Sequence, residues 1–313
     1  MEMILEQPMT TRPAFAAELA AHVGPTTVIR QAELLARHTT LRVGGPADVF
    51  VTPATEGDLA AIVQFCRQRQ QPFFLLGRGS NLLVRDGGVR GVVICLESPV
   101  FSGITVTGDQ LLCGAGARLK QVAVTAKRQG LSGLEFLEGI PGSVGGALRM
   151  NAGAMGKWTF DAVVSLRYMD YAGDIHELPA AAVPVEYRAC PLLRNHIALA
   201  AVFQAQPKAP AEIEQCMRAY SEKRWASQPA APSAGCVFKN PAAIPAGKLV
   251  DELGLKGTRV GGAVVSAEHG NFIINDGGAT AADVLELIAV VQNRVLAERG
   301  IHLHPEVEII GEN

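Results

Sequence analysis

The sequence predicts an α+β protein of two or three domains, and three observations predict it. The chain has 313 residues, more than one hydrophobic core usually organises. After a β-α-β opening, its strands come as hairpin-like pairs between segments with helical spacing of apolar residues. Its 33 glycines gather in the turns between these segments.

Taken in order, residues 14–23 read as a short helix, followed by the extended stretch ARHTTLRVGGPADVFVTP. Residues 56–70 are amphipathic, with Leu59, Ile62, Val63 and Cys66 at i, i+3, i+4 and i+7. QPFFLLGRGSNLLV reads as strand, glycine turn and strand, and GVRGVVICL as a further buried strand. ITVTGDQLLCGAGA forms a hairpin across Gly108 and Asp109. Residues 118–129 are helical, with Leu119, Val122, Val124 and Ala126 toward the core and Gly130 as C-cap. Eight glycines fall between Gly130 and Gly156, so this stretch is loop-rich. The hairpin VVSLRYMDYAGDIHEL and the strand HIALAAVFQAQP come next. Residues 213–224 are a helix bearing Ile213, Met217 and Tyr220 on one face, and WASQPAAPSAG is a linker. Residues 281–299 form a helix with Val284, Leu287, Ile288, Val291 and Val295 buried, Thr280 and Asp283 at its start and Gly300 at its end. HPEVEII is a terminal strand.

Apolar residues make up 48% and charged residues 19%, the balance of an ordered globular chain. The net charge of −2 provides no global field toward nucleic acid or anionic lipid, so an anionic ligand must be held by local groups. The six cysteines form no CxxC pair, and no apolar run approaches a membrane span. Residues 1–13 lack the apolar core of a signal segment. The expectation is a soluble protein of a reducing compartment, with no metal site, no nucleic-acid partner and no membrane insertion.

Two glycine turns can carry chemistry: GRGSN at residues 77–81 and PGSVGGALRMNAG at residues 141–153. Glycine lets the backbone approach a phosphate, successive N–H groups form an anion nest, and Ser80, Asn81 and Ser143 add side-chain donors. The plain alternative is two ordinary turns. GRGSNL and GAGARL both lack the third glycine of a dinucleotide fingerprint, and no P-loop occurs. Two nests suit one long ligand held between two lobes, as FAD would be.

PSAGCVFKNP places the thiol of Cys236 in a proline-bounded loop three residues before Lys239, which is expected to lower its pKa. The thiol is either core filler, a nucleophile or a proton donor. A nucleophile needs a base, and His269, His302 and His304 have no motif context. The donor therefore ranks above the nucleophile. Tyr187-Arg188 in VEYRACPLLR and Glu306 in HPEVEII are weak candidates by spacing alone, since each also reads as a surface charge.

TTLRVGGPAD, LLGRGSNLLV, GLEFLEGIPGSVGGALRMNAG, YRAC, PSAGCVFKNP, GGAVVSAEHGNFIIN and HPEVEI run in one order from about residue 39 to 309. Together they resemble the UDP-N-acetylenolpyruvoylglucosamine reductase family, flavoenzymes of bacterial peptidoglycan precursor synthesis. The resemblance implies a two-lobed FAD-binding fold of the vanillyl-alcohol-oxidase type plus a C-terminal α/β substrate domain. The expected division is lobe 1 at residues 1–98, lobe 2 at 99–226 and the substrate domain at 227–313, with the terminal strand packing back on lobe 1. FAD would be bound non-covalently by Gly77, Arg78, Gly79, Ser80, Asn81 and Leu82, and by Pro141, Gly142, Ser143, Gly145, Gly146, Asn151, Ala152 and Gly153.

The implied reaction is reduction of UDP-N-acetylglucosamine enolpyruvate to UDP-N-acetylmuramate, with NADPH as hydride donor, in the cytoplasm. Arg188 would stabilise the charge that develops on the enolpyruvyl group, and a protonated Glu306 would donate a hydrogen bond to it. Cys236, at a place where the family usually has serine, would protonate C2. Tyr187, Lys239 and Asn240 would contact the substrate. Three rivals stand beside this reading: an FAD-linked sugar or alcohol oxidase, a non-catalytic nucleotide-sugar binder and a flavin-free cysteine acyltransferase.

Overall fold

Three sheets organise the chain, each with its own topology. The structure is a computed structural model and describes residues 12–313. Most of the N-terminal stretch read as lacking a signal segment lies outside the described residues.

The first sheet has the spatial order Val28–Leu34, Pro46–Thr52, Val89–Cys95, Phe73–Leu76. Its last three strands are parallel, and the helix Glu56–Gln68 makes the crossover. That helix starts where expected because Thr55 and Asp58 form a reciprocal capping box. The edge strand Val28–Leu34 was not anticipated. It is exposed along most of its length, with only Ile29 and Glu33 half-buried, and carries Arg30, Gln31 and Glu33, so its apolar signal is faint.

The second sheet is wholly antiparallel, in the order Ile175–Pro179, Val163–Met169, Ile197–Gln204, Gln110–Gly114, Ile104–Thr107. The helices Leu119–Arg128, Val144–Arg149 and Pro210–Trp225 pack with it. On the first of these, Ala123 is buried and Val124 only half-buried, one position from the expected stripe. One continuous apolar core joins this layer to the helices Arg12–Ala20 and Glu56–Gln68, through Leu59, Ile62, Phe101, Leu111, Val122 and Phe203.

The third sheet, Ser233–Cys236, Phe272–Asn275, Ala263–Val265, Arg259–Val260, is antiparallel. It is packed by the helix Ala281–Arg299, whose five expected core residues are all buried. Thr280 and Asp283 close a capping box at its start, and Gly300 ends it in the left-handed conformation. This core also takes in Leu41, Val43 and Leu83 from the first part of the chain.

Ties at several points bind the last unit to the first. Glu308–Ile310 pairs in parallel with Leu82–Val84. Asn275 Nδ2 donates to the Leu41 carbonyl at 3.1 Å, and Thr40 Oγ1 to the Ser233 carbonyl at 2.7 Å. The carboxylate of Asp86 accepts from the N–H groups of Ala281 at 2.8 Å and Ala282 at 2.9 Å. Asp86 therefore caps the last helix from another part of the chain, where a negative charge also suits the helix dipole. Asp86→Ala is expected to lower stability by about 1 kcal/mol, the usual cost of a lost cap. Urea unfolding should show a lower midpoint with an unchanged slope, and Asp86→Asn should recover part of the loss.

Candidate active site

The two glycine turns, 64 residues apart in sequence by their leading residues at 77 and 141, line one cleft of about 1130 Å³. A Cβ on Gly77 would lie 2.9 Å from Ser143 Oγ, and one on Gly142 would lie 3.6 Å from Ser80 Oγ. Gly79 has φ +58°, and a Cβ there would come 2.5 Å from the His38 carbonyl. Glycine is needed on both counts. Among the described residues none accepts a hydrogen bond from the N–H groups of Arg78, Gly79 or Ser80. The turn is thus a run of open donors toward a negatively charged group.

Not every expected cofactor residue faces this space. Gly77, Arg78, Gly79, Ser80, Asn81 and Leu82 line the cleft, as do Pro141, Gly142, Ser143, Gly146, Ala152 and Gly153. Gly145 and Asn151 do not. Gly145 backs the turn: its N–H donates to the Ala115 carbonyl at 2.7 Å, and a Cβ would meet Ala115 Cβ at 3.0 Å. Asn151 is buried with φ +37°, its Oδ1 accepting from Phe160 N–H and its Nδ2 donating to the Glu186 carbonyl. Two of the expected side chains also make bonds within the protein, Asn81 as donor and Ser143 as acceptor. Asn81 Nδ2 donates to the Glu306 carbonyl at 3.2 Å, and Ser143 Oγ accepts from Gly146 N–H at the start of the helix Val144–Arg149.

Arg188, Cys236 and Glu306 come from three distant segments and all line the cleft. Arg188 sits at the tip of a tight turn closed by two bonds between Glu186 and Ala189, with φ +57°. Such a conformation in a non-glycine residue is strained and is held by its surroundings. Its Nε lies 3.0 Å from Glu306 Oε1. That contact is an ion pair without hydrogen-bond alignment, since the buried Nε has no aligned acceptor. The contact ties the Glu306 carboxyl to Arg188 on the cleft wall. Glu306 is fixed in turn by its own N–H, which donates to the Val237 carbonyl at 2.7 Å.

The Cys236 thiol departs most from expectation. Its pKa is pushed up to about 11, not down. Burial is the main cause, the Glu306 carboxylate adds to it, and Arg188 opposes both. Lys239 plays no part. Val237 and Phe238 turn into the core, so Lys239 emerges exposed, with its N–H on the His304 carbonyl. Lys239 and Asn240 lie off the cleft wall, and Asn240 Oδ1 caps the helix Ala246–Glu252 at Ala246 N–H. Tyr187 is exposed, with its ring 5.6 Å from the Arg188 guanidinium carbon. None of His269, His302 and His304 lines the cleft. Cys66, Cys95 and Cys113 are buried, with thiols raised by burial to about 12, as structural cysteines should be.

Sequence reasoning missed several wall residues. Arg149 and Glu308 pair at 3.3 Å, and Thr40, Arg42, Arg224 and Trp225 also contribute. Glu308 begins the short terminal strand Glu308–Ile310, two residues beyond Glu306.

Size and chemistry both fit FAD. The volume suits a large cofactor with a second ligand, and the turn at residues 77–81 presents free N–H groups at a place where a Cβ would intrude. Residues 47–179 match a family described as an FAD binding domain. Residues 228–310 match the C-terminal domain of UDP-N-acetylenolpyruvoylglucosamine reductase. Fold and cleft together define an FAD-dependent oxidoreductase, α+β in class, with a two-lobed flavin-binding unit of the vanillyl-alcohol-oxidase type.

Whole-chain comparisons narrow that class. The chain is 44% identical over 282 residues to a UDP-N-acetylenolpyruvoylglucosamine reductase of Pelobacter propionicus, covering 90% of this chain and 95% of that one. It is 45% identical to one of Geobacter metallireducens over 281 residues, covering 90% and 93%. The crystal structure of the Thermus caldophilus reductase superposes with a TM-score of 0.79 at 40% identity, covering 90% of this chain and 99% of that one. The chain belongs to the UDP-N-acetylenolpyruvoylglucosamine reductase family.

A thiol with a pKa of about 11 stays neutral through pH 7–8, and its reactive thiolate grows as pH rises toward that value. Alkylation of Cys236 by iodoacetamide, followed by mass spectrometry of its peptide, is expected to accelerate about tenfold per pH unit from 7 to 10. A plateau below pH 9 would contradict the burial and charge environment described.

Proposed function

We propose that Arg188, Glu306 and Cys236 carry the second half of the family reaction, in the same cleft as the glycine turns. That reaction is the NADPH-dependent reduction of UDP-N-acetylglucosamine enolpyruvate to UDP-N-acetylmuramate through bound FAD. Its place is peptidoglycan precursor synthesis. When bound, FAD supplies the hydride relay, from NADPH and then to C3 of the enolpyruvyl group.

The chain's own residues supply the rest. The turns at residues 77–82 and 141–146 hold the cofactor non-covalently. Support for that comes from the free N–H run, and from His38 and Cys236, which offer no ready attachment point. His38 Nε2 is bonded to Glu33 Oε1 at 2.9 Å, and the Cys236 thiol is neutral. Arg188 stabilises the negative charge that builds on C2 and its carboxylate as hydride arrives at C3. Glu306 holds the guanidinium in place. Cys236 gives its S–H proton to C2, which completes the lactyl ether. The observation that carries this reading is the convergence of a neutral thiol and an ion-paired arginine on one wall. A general acid must be protonated before it acts, and this one is.

The domain division at residues 98 and 226 is part of the same proposal. The first sheet falls within residues 28–95, the second within 104–204 and the third within 233–275. Tyr187, Lys239 and Asn240 are proposed as substrate contacts at the cleft's outer edge. NADPH and a nucleotide sugar as ligands, together with six free cysteines, support a cytoplasmic setting. Among the described residues no helix is long and apolar enough to cross a membrane.

Arg188→Ala is expected to leave reduction of the flavin by NADPH near normal. It should slow reoxidation by the enolpyruvyl substrate by roughly 10²–10³-fold, the size of one lost oxyanion-stabilising donor. Stopped-flow absorbance of the two half-reactions checks this, and equal slowing of both would contradict the role.

Cys236→Ser should keep substantial activity, while Cys236→Ala should lose most of it in the reoxidation half alone. An alanine variant as active as the wild type would mean that water or another residue supplies the proton.

A further inference from the structure

The Arg188 side chain is held from behind by an aromatic ring that the cleft does not touch. The Trp158 ring lies 5.5 Å from the guanidinium carbon, and Tyr187 lies 5.6 Å from it. The two rings meet edge to face at 5.5 Å. Trp158 is half-buried and absent from the cleft wall, whereas Arg188 lines it. The indole therefore lies outside the cleft lining, yet it touches a group within it.

We propose that Trp158 is a positioning residue for Arg188, aiming the guanidinium at the developing enolate by a cation–π contact. The proposal rests on the role of Arg188 given above.

Three observations point to a built contact. The hairpin of Gly153–Ala154 and Lys157–Trp158 presents the ring, and Trp158 N–H donates to Asp161 Oδ2 at 2.8 Å. The indole lies over Gly153 so closely that a Cβ there would be 2.4 Å from its Cε3. Gly153 is thus the seat of the ring as well as part of the cleft wall. Arg188, for its part, has a left-handed backbone and a buried Nε with no aligned acceptor. Neither its backbone preference nor a hydrogen bond from Nε sets its direction. The Glu306 ion pair restrains the guanidinium from one side, and the ring restrains it from another. A flat π-face suits a guanidinium, which stacks where an ammonium would not.

The test separates the π-face from simple bulk. Trp158→Phe keeps an aromatic face, and Trp158→Leu keeps apolar volume only. Flavin content and NADPH-dependent flavin reduction should be unchanged in both. Reoxidation by the enolpyruvyl substrate should slow roughly 3–30-fold in Trp158→Leu and distinctly less in Trp158→Phe, the range of a partly buried cation–π contact. Arg188→Ala runs alongside. If it is slow while Trp158→Leu reoxidises like the wild type, the ring has no positioning role. If Trp158→Leu loses flavin or slows both halves alike, the ring is only structural and the proposal falls. If Arg188→Ala itself reoxidises normally, the role assigned to Arg188 falls first and this one with it.

Discussion

The site depends on one short parallel pairing, Glu308–Ile310 against Leu82–Val84. It returns the end of the chain to the strand that follows the first glycine turn. Asn81 brackets the joint from both sides: its Nδ2 donates to the Glu306 carbonyl, and its own carbonyl accepts from Glu308 N–H at 3.0 Å. Glu306 N–H bonds to Val237, one residue past the thiol. Three backbone segments thus meet at residue 306, so the carboxylate is placed mainly by main-chain bonds. Arg188 then pairs with a group whose position is already set. A pairing of three residues is weak alone. It persists because Leu83, Val237, Phe238 and Val307 share one core beneath it.

Charge is arranged locally. The chain carries a net charge near neutral, yet the cleft is lined by Arg37, Arg42, Arg78, Arg149, Arg188 and Arg224 against the carboxylates of Glu306 and Glu308. That excess suits ligands bearing phosphates and a carboxylate, and it leaves the outer surface without a broad basic field. Arginine serves here better than lysine, because its fork of donors matches phosphate and carboxylate oxygens.

Much of this was legible in the sequence, and the failures have physical causes. The helices Glu56–Gln68 and Ala281–Arg299 were readable because capping residues and a buried stripe agree. The strand Val28–Leu34 was not, being a mostly exposed edge that carries polar residues. Most of the third sheet also escaped, since its strands are two to four residues long and carry no usable period. At the site, the glycine turns and the catalytic candidates were legible by motif, but their electrostatics were not. Lys239 is three residues from Cys236 in sequence and faces solvent, while Glu306 is seventy residues away and sets the local charge. Trp158 gave no signal, because an aromatic residue behind a catalytic one looks like core.

The raised pKa of Cys236 is compatible with the donor role proposed for it. A donor must satisfy two conditions: it must be protonated when the enolate forms, and it must recover its proton before the next turnover. A thiol lowered by a neighbouring cation would fail the first, standing partly as thiolate at neutral pH. Burial and the Glu306 carboxylate prevent this by raising the value to about 11. Proton transfer to a carbanionic C2 remains strongly downhill, because such a carbon is far more basic than any thiolate. The thiolate left behind is basic enough to take a proton from water or buffer at neutral pH. Arg188 opposes the rise without cancelling it, so in the proposed role it would favour the thiolate between donation and recovery. Replacing Glu306 with a neutral residue would remove one of the two forces holding the proton on sulfur, and it would also free Arg188 from its anchor. In the proposed mechanism the carboxylate would therefore act on both partners at once, as a brace for the cation and as a guard for the acid.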